Sequence, residues 1–188
     1  MVKVSNWEKR KGVEFLKRVK IKKDDKILDF GCNTGNYSIP ASILTGDNGV
    51  VFAVDKDDAV LRTVAEKAEL MYLANIKTMN MNEELKFDFA DDFFDVVMLY
   101  DILHYFNIEE RKLLYHEILR ILKTESILSV YPKHVIGNFT LMELRNVNLK
   151  ELKNEIEMAG FEFSSKVCGK LSHDNYLEEG CVINFIAE

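Results

Sequence analysis

The chain has 188 residues, 47% hydrophobic and 30% charged, a balance that excludes intrinsic disorder and supplies enough apolar side chains for a substantial core. Its net charge of −6 argues against a nucleic-acid substrate, because phosphate contacts need a basic face, and no apolar run reaches the ~20 residues of a membrane span. The first residues, Met-Val-Lys-Val-Ser-Asn-Trp, lack the apolar core of a signal peptide, so the expected location is cytoplasmic.

Ser5-Asn6-Trp7-Glu8 fits a capping box, and Val13, Phe15, Leu16 and Val19 form an apolar stripe that predicts a helix to about Lys20. The basic residues clustered there (Lys9, Arg10, Lys11, Lys17, Arg18, Lys20, Lys22 and Lys23) read as the solvated face of that helix. Lys26 to Phe30 is a buried-strand candidate, Gly31 to Gly35 a tight turn, and Tyr37 to Leu44 a helix that tolerates Pro40 in its first turn. After the turn signal Thr45-Gly46-Asp47-Asn48-Gly49 come a β-branched and aromatic strand, Val50 to Val54, a periodic helix, Ala59 to Leu73, and a weaker strand, Ile76 to Met79. Residues 80–92 read as a polar, acidic loop and Phe93 to Leu99 as a central strand. Asn107 with Glu110 caps a helix to Leu122, Ser126 to Tyr131 is a strand closed by Pro132, and Asn148 with Glu151 caps a helix ending at Gly160. Phe161 to Val167 and Cys181 to Ala187 are two final strands joined by a loop too long for a tight hairpin.

Strands alternating with helices predict an α/β fold with a mostly parallel sheet covered on both faces. Right-handed crossovers place the strand-end turns on the edge where such sheets bind ligands. With no repeat and no Pro/Gly-rich linker, one domain over residues 1–188 is expected, residues 1–23 forming an N-terminal helical lid and 24–188 the core. Cys32, Cys168 and Cys181 form no CxxC pair and leave one thiol over in any pairing; all three read as reduced, and no metal cluster is visible. Met71, Met79, Met81 and Met98 lack helical spacing and read as core filler.

The informative stretch is Ile27-Leu28-Asp29-Phe30-Gly31-Cys32-Asn33-Thr34-Gly35, followed by a helix. Glycines at a strand-to-helix turn let the backbone approach a ligand, and the helix start offers free N–H groups. The spacing rejects the dinucleotide fingerprint, which after Gly31 needs glycine at 33 and Gly or Ala at 36, where this chain has Asn33 and Asn36.

The same stretch resembles the first motif of class I S-adenosylmethionine-dependent methyltransferases, an acidic residue followed by three alternating glycines. Asp29, Gly31 and Gly35 match it; Asn33 replaces the middle glycine, and asparagine tolerates a left-handed backbone better than other side chains. Asp55 ends the second strand, 20 residues after Gly35, where a carboxylate can accept from both hydroxyls of a ribose. Phe94-Asp95-Val96-Val97 and Leu103-His104-Tyr105 look like the fourth-strand signature of the small-molecule methyltransferases. Leu122 to Leu128 sits like the turn into the fifth strand, with Thr124-Glu125-Ser126 in place of Pro-Gly-Gly.

The resemblance implies a Rossmann-like, doubly wound, mostly parallel seven-stranded sheet with helices on both faces and an antiparallel last strand, and S-adenosyl-L-methionine as cofactor. Carried over by position, Asp29, Gly31, Asn33 and Gly35 would hold the methionine part, Asp55 the ribose, and Lys56 the adenine pocket. Asn82, with Asn80 and Glu83 beside it, is the expected contact to the adenine amino group. Tyr100, Asp101, His104 and Tyr105 follow the fourth strand and would face the methyl group, with Tyr100 counted among the cofactor contacts and His104 and Asp101 as catalytic candidates. His104 can serve as a general base because imidazole titrates near neutral pH; packing at a helix start is the plainer role for it. His134, after Tyr131-Pro132-Lys133, stands at the same strand-end edge and is a substrate-contact candidate.

Plainer roles exist for other positions as well. Asp29 can cap the turn, Asp55 can be a solvated strand-end acid, and Cys32 reads as a small filler rather than a nucleophile. Tyr100-Asp101-Ile102-Leu103 lacks the Asn/Asp-Pro-Pro-aromatic turn often used to methylate nucleobase or glutamine amines, and the acidic balance weighs against an RNA methyltransferase. The expected acceptor is therefore a small molecule, no membrane is involved, and a partner protein completing an open site is the other arrangement. The rival from a different class is a non-catalytic cofactor-binding or scaffold protein of the same fold.

Overall fold

The computed structural model describes residues 2–81, 85–136, 142–173 and 176–188. Seven strands, β1 (Lys26–Phe30), β2 (Val50–Asp55), β3 (Ile76–Asn80), β4 (Phe94–Tyr100), β5 (Leu122–Tyr131), β6 (Phe161–His173) and β7 (Tyr176–Ala187), form one sheet in the order β3-β2-β1-β4-β5-β7-β6. β1 pairs parallel with β2, β2 with β3 and β4 with β5, while β7 runs antiparallel to β5. This is the Rossmann-like, doubly wound sheet with an antiparallel last strand that the resemblance implies. The helices are α1 (Gly12–Arg18), α2 (Ser38–Thr45), α3 (Asp58–Leu70), α4 (Ile108–Ile121), the short α5 (Lys133–Ile136) and α6 (Leu149–Glu157). Among the described residues no helix is long and apolar enough to cross a membrane.

The chain divides into two compact units, Met1–Met81 with Gly169–Glu179, and Asn82–Cys168 with Gly180–Glu188. In the first, β1 and β2 bury Ile27, Leu28, Phe30, Val51, Ala53 and Val54 almost completely. Such continuous apolar runs suit strands covered on both faces. The N-terminal segment starts as the capping box predicts: the Ser5 N–H donates to Glu8 Oε2 at 2.6 Å and the Glu8 N–H to Ser5 Oγ at 3.2 Å. Residues Trp7–Lys11 form a π-helical turn that runs directly into α1. Trp7 stacks edge-on against Tyr37 and lies beside Phe15, with ring centroids 5.7 and 6.1 Å away. Burying these three rings anchors the N-terminal helix against α2.

In the second unit β4 is buried from Val96 to Tyr100, and α4 turns Leu114, Tyr115, Ile118 and Ile121 into the core. Asn107 makes both halves of its capping box with Glu110, as Asn148 does with Glu151 at the start of α6. Arg111, 1% exposed, joins these two helices through a bidentate pair with Glu155 at 2.7 and 2.9 Å and donates to the Phe106 carbonyl at 2.7 Å. Arg120 fastens the acidic loop before β4, donating to the carbonyls of Phe87 and Phe89 and to Asp91.

Several expectations need correction. β6 and β7 are much longer than the runs Phe161–Val167 and Cys181–Ala187, and the stretch read as a loop is mostly strand. Gly169, Gly180 and the polar residues around them hid this, because they dilute the alternation that marks a strand. Secondly, Cys168 and Cys181 are not reduced thiols: they form a disulfide across 13 residues, with Cα atoms 4.0 Å apart, and Cys32 alone is free. Their closeness depends on the pairing of β6 with β7, which no sequence spacing reveals. Lastly, Gly160, with φ of 101°, lies three residues beyond the last residue of α6, one position further than a C′ glycine. Where the Pro-Gly-Gly turn was sought there is instead an irregular strand: Glu125 has φ of 62°, and pairing with β4 jumps from Phe94↔Leu122 to Val96↔Ile127.

Candidate functional site

The turn after β1 is built almost wholly from backbone. Gly31 and Gly35 have φ of 78° and 83°, and Asn33 between them has φ of 46°, the left-handed conformation its side chain was expected to allow. The N–H groups of Gly31 and Cys32 both donate to the Val54 carbonyl on β2, at 2.8 and 3.0 Å, and the Gly35 N–H donates to the Cys32 carbonyl at 3.0 Å. A Cβ on Gly35 would lie 3.1 Å from Val64 of α3, so glycine is needed there for approach as well as conformation.

Asp55 closes this turn from the end of β2. Its Oδ2 accepts the Asn33 N–H at 2.9 Å and its Oδ1 the Asp57 N–H at 3.1 Å. Each carboxylate oxygen can accept more than one hydrogen bond, so both retain capacity for a diol. Lys56 is exposed and its carbonyl accepts from Asn80 at 3.4 Å; Asn80 also donates to Asp58 at 2.6 Å. Asn80 is thereby committed to the turn after β2. Asn82, like Glu83, lies outside the described residues.

Asp29, 2% exposed, accepts the Ser38 hydroxyl at the start of α2. Burial pushes its carboxyl up to about 7; the Ser38 bond opposes the rise and the neighbouring Asp55 charge adds to it. Cys32 is packed with Ala53, Leu61 and Val64, and burial, with Asp29 and Asp55 nearby, drives its thiol far above the ordinary range. It is filler, not a nucleophile.

The turn is also held by contacts that sequence reasoning missed. Lys67 of α3 donates at 2.6 Å to the Thr34 carbonyl and at 2.6 Å to Glu8, the residue that completes the N-terminal capping box. The Lys67 and Glu8 side chains are 8% and 2% exposed. The Trp7 indole donates to the Asn36 carbonyl at 2.8 Å. Residues 34 and 36 are thus gripped from the N-terminal segment. No local signal links positions 8, 34 and 67, although a lysine amid the apolar face of a periodic helix was a clue.

In the second unit the residues at the ends of β4 and β5 form a separate group. Tyr100 is buried, and its hydroxyl lies 2.8 Å from Ser129 Oγ. Ser129 donates to Asn184 Oδ1 at 2.8 Å, so Tyr100 is the donor to Ser129; Asn184 in turn donates to Ser165 at 3.1 Å. Asp101 has φ of 55° and its N–H bonds the Tyr131 carbonyl at 3.0 Å, tying the end of β4 to that of β5. Its Oδ1 lies 3.5 Å from His104 Nδ1 and 3.2 Å from His134 Nε2. The imidazole rings meet edge to face with centroids 4.7 Å apart, and His104 lies 4.0 Å from the Tyr105 ring. Donor atoms of the three side chains all fall within 4.8 Å of one another, in a set that could hold a metal ion. The sequence reading, with no metal cluster visible, had Asp101, His104 and His134 as separate candidates; it could not place His134, 30 residues on, beside the other two.

Residues 27–125 match the family model described as a methyltransferase domain. Over 60 residues the chain is 38% identical to a Saccharolobus solfataricus protein named Probable cobalt-precorrin-6B C(15)-methyltransferase (decarboxylating), covering 32% of this chain and 30% of that one. It is 28% identical over 144 residues to a methyltransferase of Penicillium fellutanum, covering 76% of this chain and 42% of the other. The chain therefore spans less than half the length of either curated relative. A solved SAM-dependent methyltransferase from Aquifex aeolicus shares the fold with a TM-score of 0.76 at 19% identity, over 99% of this chain and 94% of that one.

Proposed function

Because the chain belongs to the family described as a methyltransferase domain, we propose that it is an S-adenosylmethionine-dependent methyltransferase of class I, that its first unit binds S-adenosyl-L-methionine and that it methylates a small-molecule acceptor. The observation that carries this reading is the carboxylate of Asp55, set at the mouth of a turn whose glycines and Asn33 keep side chains out of the way. The donor set fits the cofactor. Asp55 accepts from the ribose hydroxyls, the turn over Gly31, Asn33 and Gly35 leaves room for the methionine chain, and Lys56 borders the adenine. Asp29, whose carboxyl burial pushes up to about 7, fixes the helix start by accepting the Ser38 hydroxyl. The N-terminal helix serves as a lid that is held in place by Glu8 and Lys67 rather than swinging free.

The cofactor, when bound, supplies a methyl group already activated on a sulfonium. The protein therefore has to orient the acceptor, exclude water and, for an acceptor that must ionise, remove one proton. His104 takes that proton and Asp101 orients the imidazole and stabilises its charged form. The small-molecule reading draws support from the cobalt-precorrin methyltransferase among the relatives and from the acidic charge balance.

The test is to incubate the protein with methyl-labelled S-adenosylmethionine and either the dialysable fraction of a cell extract or total RNA from the same cells. Label entering the dialysable fraction, with S-adenosylhomocysteine formed in step, is the expected result. Label entering RNA alone, or no turnover with either, would overturn the proposal.

A further inference from the structure

We propose that Asp101, His104 and His134 bind one divalent transition-metal ion of the zinc class. The proposal deepens the reading above and rests on it only in assigning this cluster to the acceptor.

The spacing of the donor atoms is the first argument. An N–H···O hydrogen bond draws its heavy atoms to roughly 2.9–3.0 Å. The 3.2 Å from Asp101 Oδ1 to His134 Nε2 is at the long end of the hydrogen-bond range of roughly 2.7–3.2 Å, and the 3.5 Å to His104 Nδ1 lies beyond it. Around a tetrahedral ion with bonds of roughly 2.0–2.1 Å, neighbouring ligand atoms stand about 3.3 Å apart. The two distances bracket that value. Two imidazoles converge on the same carboxylate oxygen through different ring nitrogens, with all three donor atoms within 4.8 Å of one another, so a small inward movement of the side chains would let them close on one ion.

The second argument is preorganisation. The N–H of Asp101 is fixed to Tyr131 at the end of β5, and its left-handed φ of 55° is a conformation that non-glycine residues hold only where the surroundings enforce it. His134 follows Pro132 in α5, on the continuation of the same strand, while His104 sits in the 3₁₀ turn Leu103–Tyr105 after β4. The ends of two paired strands therefore set the spacing. Side-chain exposures of 16% for Asp101, 7% for His104 and 12% for His134 leave the cluster in partial reach of solvent, so a three-ligand ion would keep a position for an outside oxygen.

The donor types select the ion. Two imidazoles with one carboxylate suit zinc and its first-row neighbours, whereas calcium and magnesium need more oxygen ligands than the cluster offers. At the open position the ion would supply Lewis-acid activation, lowering the pKa of an acceptor hydroxyl so that its proton could pass to solvent water. With the ion bound, His104 would serve as its ligand and the ion would activate the acceptor; without the ion, His104 is the base of the reading above.

The experiment uses the full chain, freed of metal by chelation and dialysis, without cofactor or acceptor. Zn²⁺ is titrated by calorimetry and Co²⁺ by its visible absorption, with His134→Ala and, as a control at an exposed position, His116→Ala beside the wild type. One ion per chain is expected, bound on the order of 100-fold more weakly by His134→Ala and unchanged by His116→Ala. In the wild type, the imidazole NMR signals of His104 and His134 should move on Zn²⁺ addition while that of His116 stays put, a readout that needs no variant to fold. Absence of saturable binding, equal binding by His134→Ala, or movement of the His116 signal alone would overturn the site. Because no methyl transfer is measured, metal binding and methyl transfer can each fail without the other.

Discussion

The glycine turn of the first unit and the Asp101–His104–His134 cluster of the second represent two ways of making a site. The turn is defined by main-chain geometry: three positive-φ residues, two N–H bonds to one carbonyl of β2, and a carboxylate closing the end. Its residues are consecutive apart from Asp55, and much of their work is structural. The cluster is defined by side chains from the turn after β4 and from α5, brought together because β4 pairs with β5. Changes at the turn should therefore cost stability, and changes at the cluster should cost chemistry.

The strongest way to break this contrast is at Lys67. Lys67→Met leaves Glu8 buried without its cation, and breaking such a pair by removing one partner costs about 3–5 kcal/mol. Chemical denaturation should register most of that loss, and the double variant Glu8→Gln/Lys67→Met should recover a large part of it. A Lys67→Met protein as stable as wild type would mean that the turn does not depend on this grip.

Asp29 gives the next largest effect, and one that depends on pH. Its folded pKa of about 7 stands above the ordinary 3.8, so between those values the native state holds more protons than the unfolded chain. Stability should fall as pH rises through that window and level off above it. Asp29→Asn removes the dependence, and its stability relative to wild type should improve from pH 4 to pH 8 by at most about 4 kcal/mol. Denaturation midpoints across that range check the sign; a relative loss on raising the pH would contradict the burial argument.

The disulfide is the corresponding constraint in the second unit. Cys168→Ser/Cys181→Ser should lose about 3 kcal/mol, the loop-closure value for a link of this span, and the wild type should lose a similar amount in reductant. Equal melting temperatures with and without reductant would remove the bond from the account.

What was legible in the sequence follows the same division. The order of elements, the glycine turn and the carboxylate of Asp55 that closes it could be read because each signal is local: a periodicity, a glycine spacing, an acid at a strand end. Asn33 was read as a left-handed residue on its own side-chain chemistry, and its φ of 46° agrees. The disulfide, the Glu8–Lys67–Thr34 grip and the approach of His134 to Asp101 depend on pairing between distant segments. Neither composition nor spacing encodes that pairing, and glycines in β6 and β7 masked the strands that bring the cysteines together.

The smallest effect tests the conformation of Asn33. Asn33→Gly should change stability by no more than about 0.5 kcal/mol, whereas Asn33→Val, β-branched at a left-handed position, should cost about 1–2 kcal/mol. If the two variants prove equal under denaturation, the turn does not enforce that backbone.

The most direct test of the central claim is calorimetric titration of the protein with S-adenosylmethionine, wild type beside Asp55→Ala. One saturable site is expected, weakened about 100-fold in the variant by loss of the charged acceptor for the ribose hydroxyls. No binding by the wild type, or equal binding by Asp55→Ala, would contradict it.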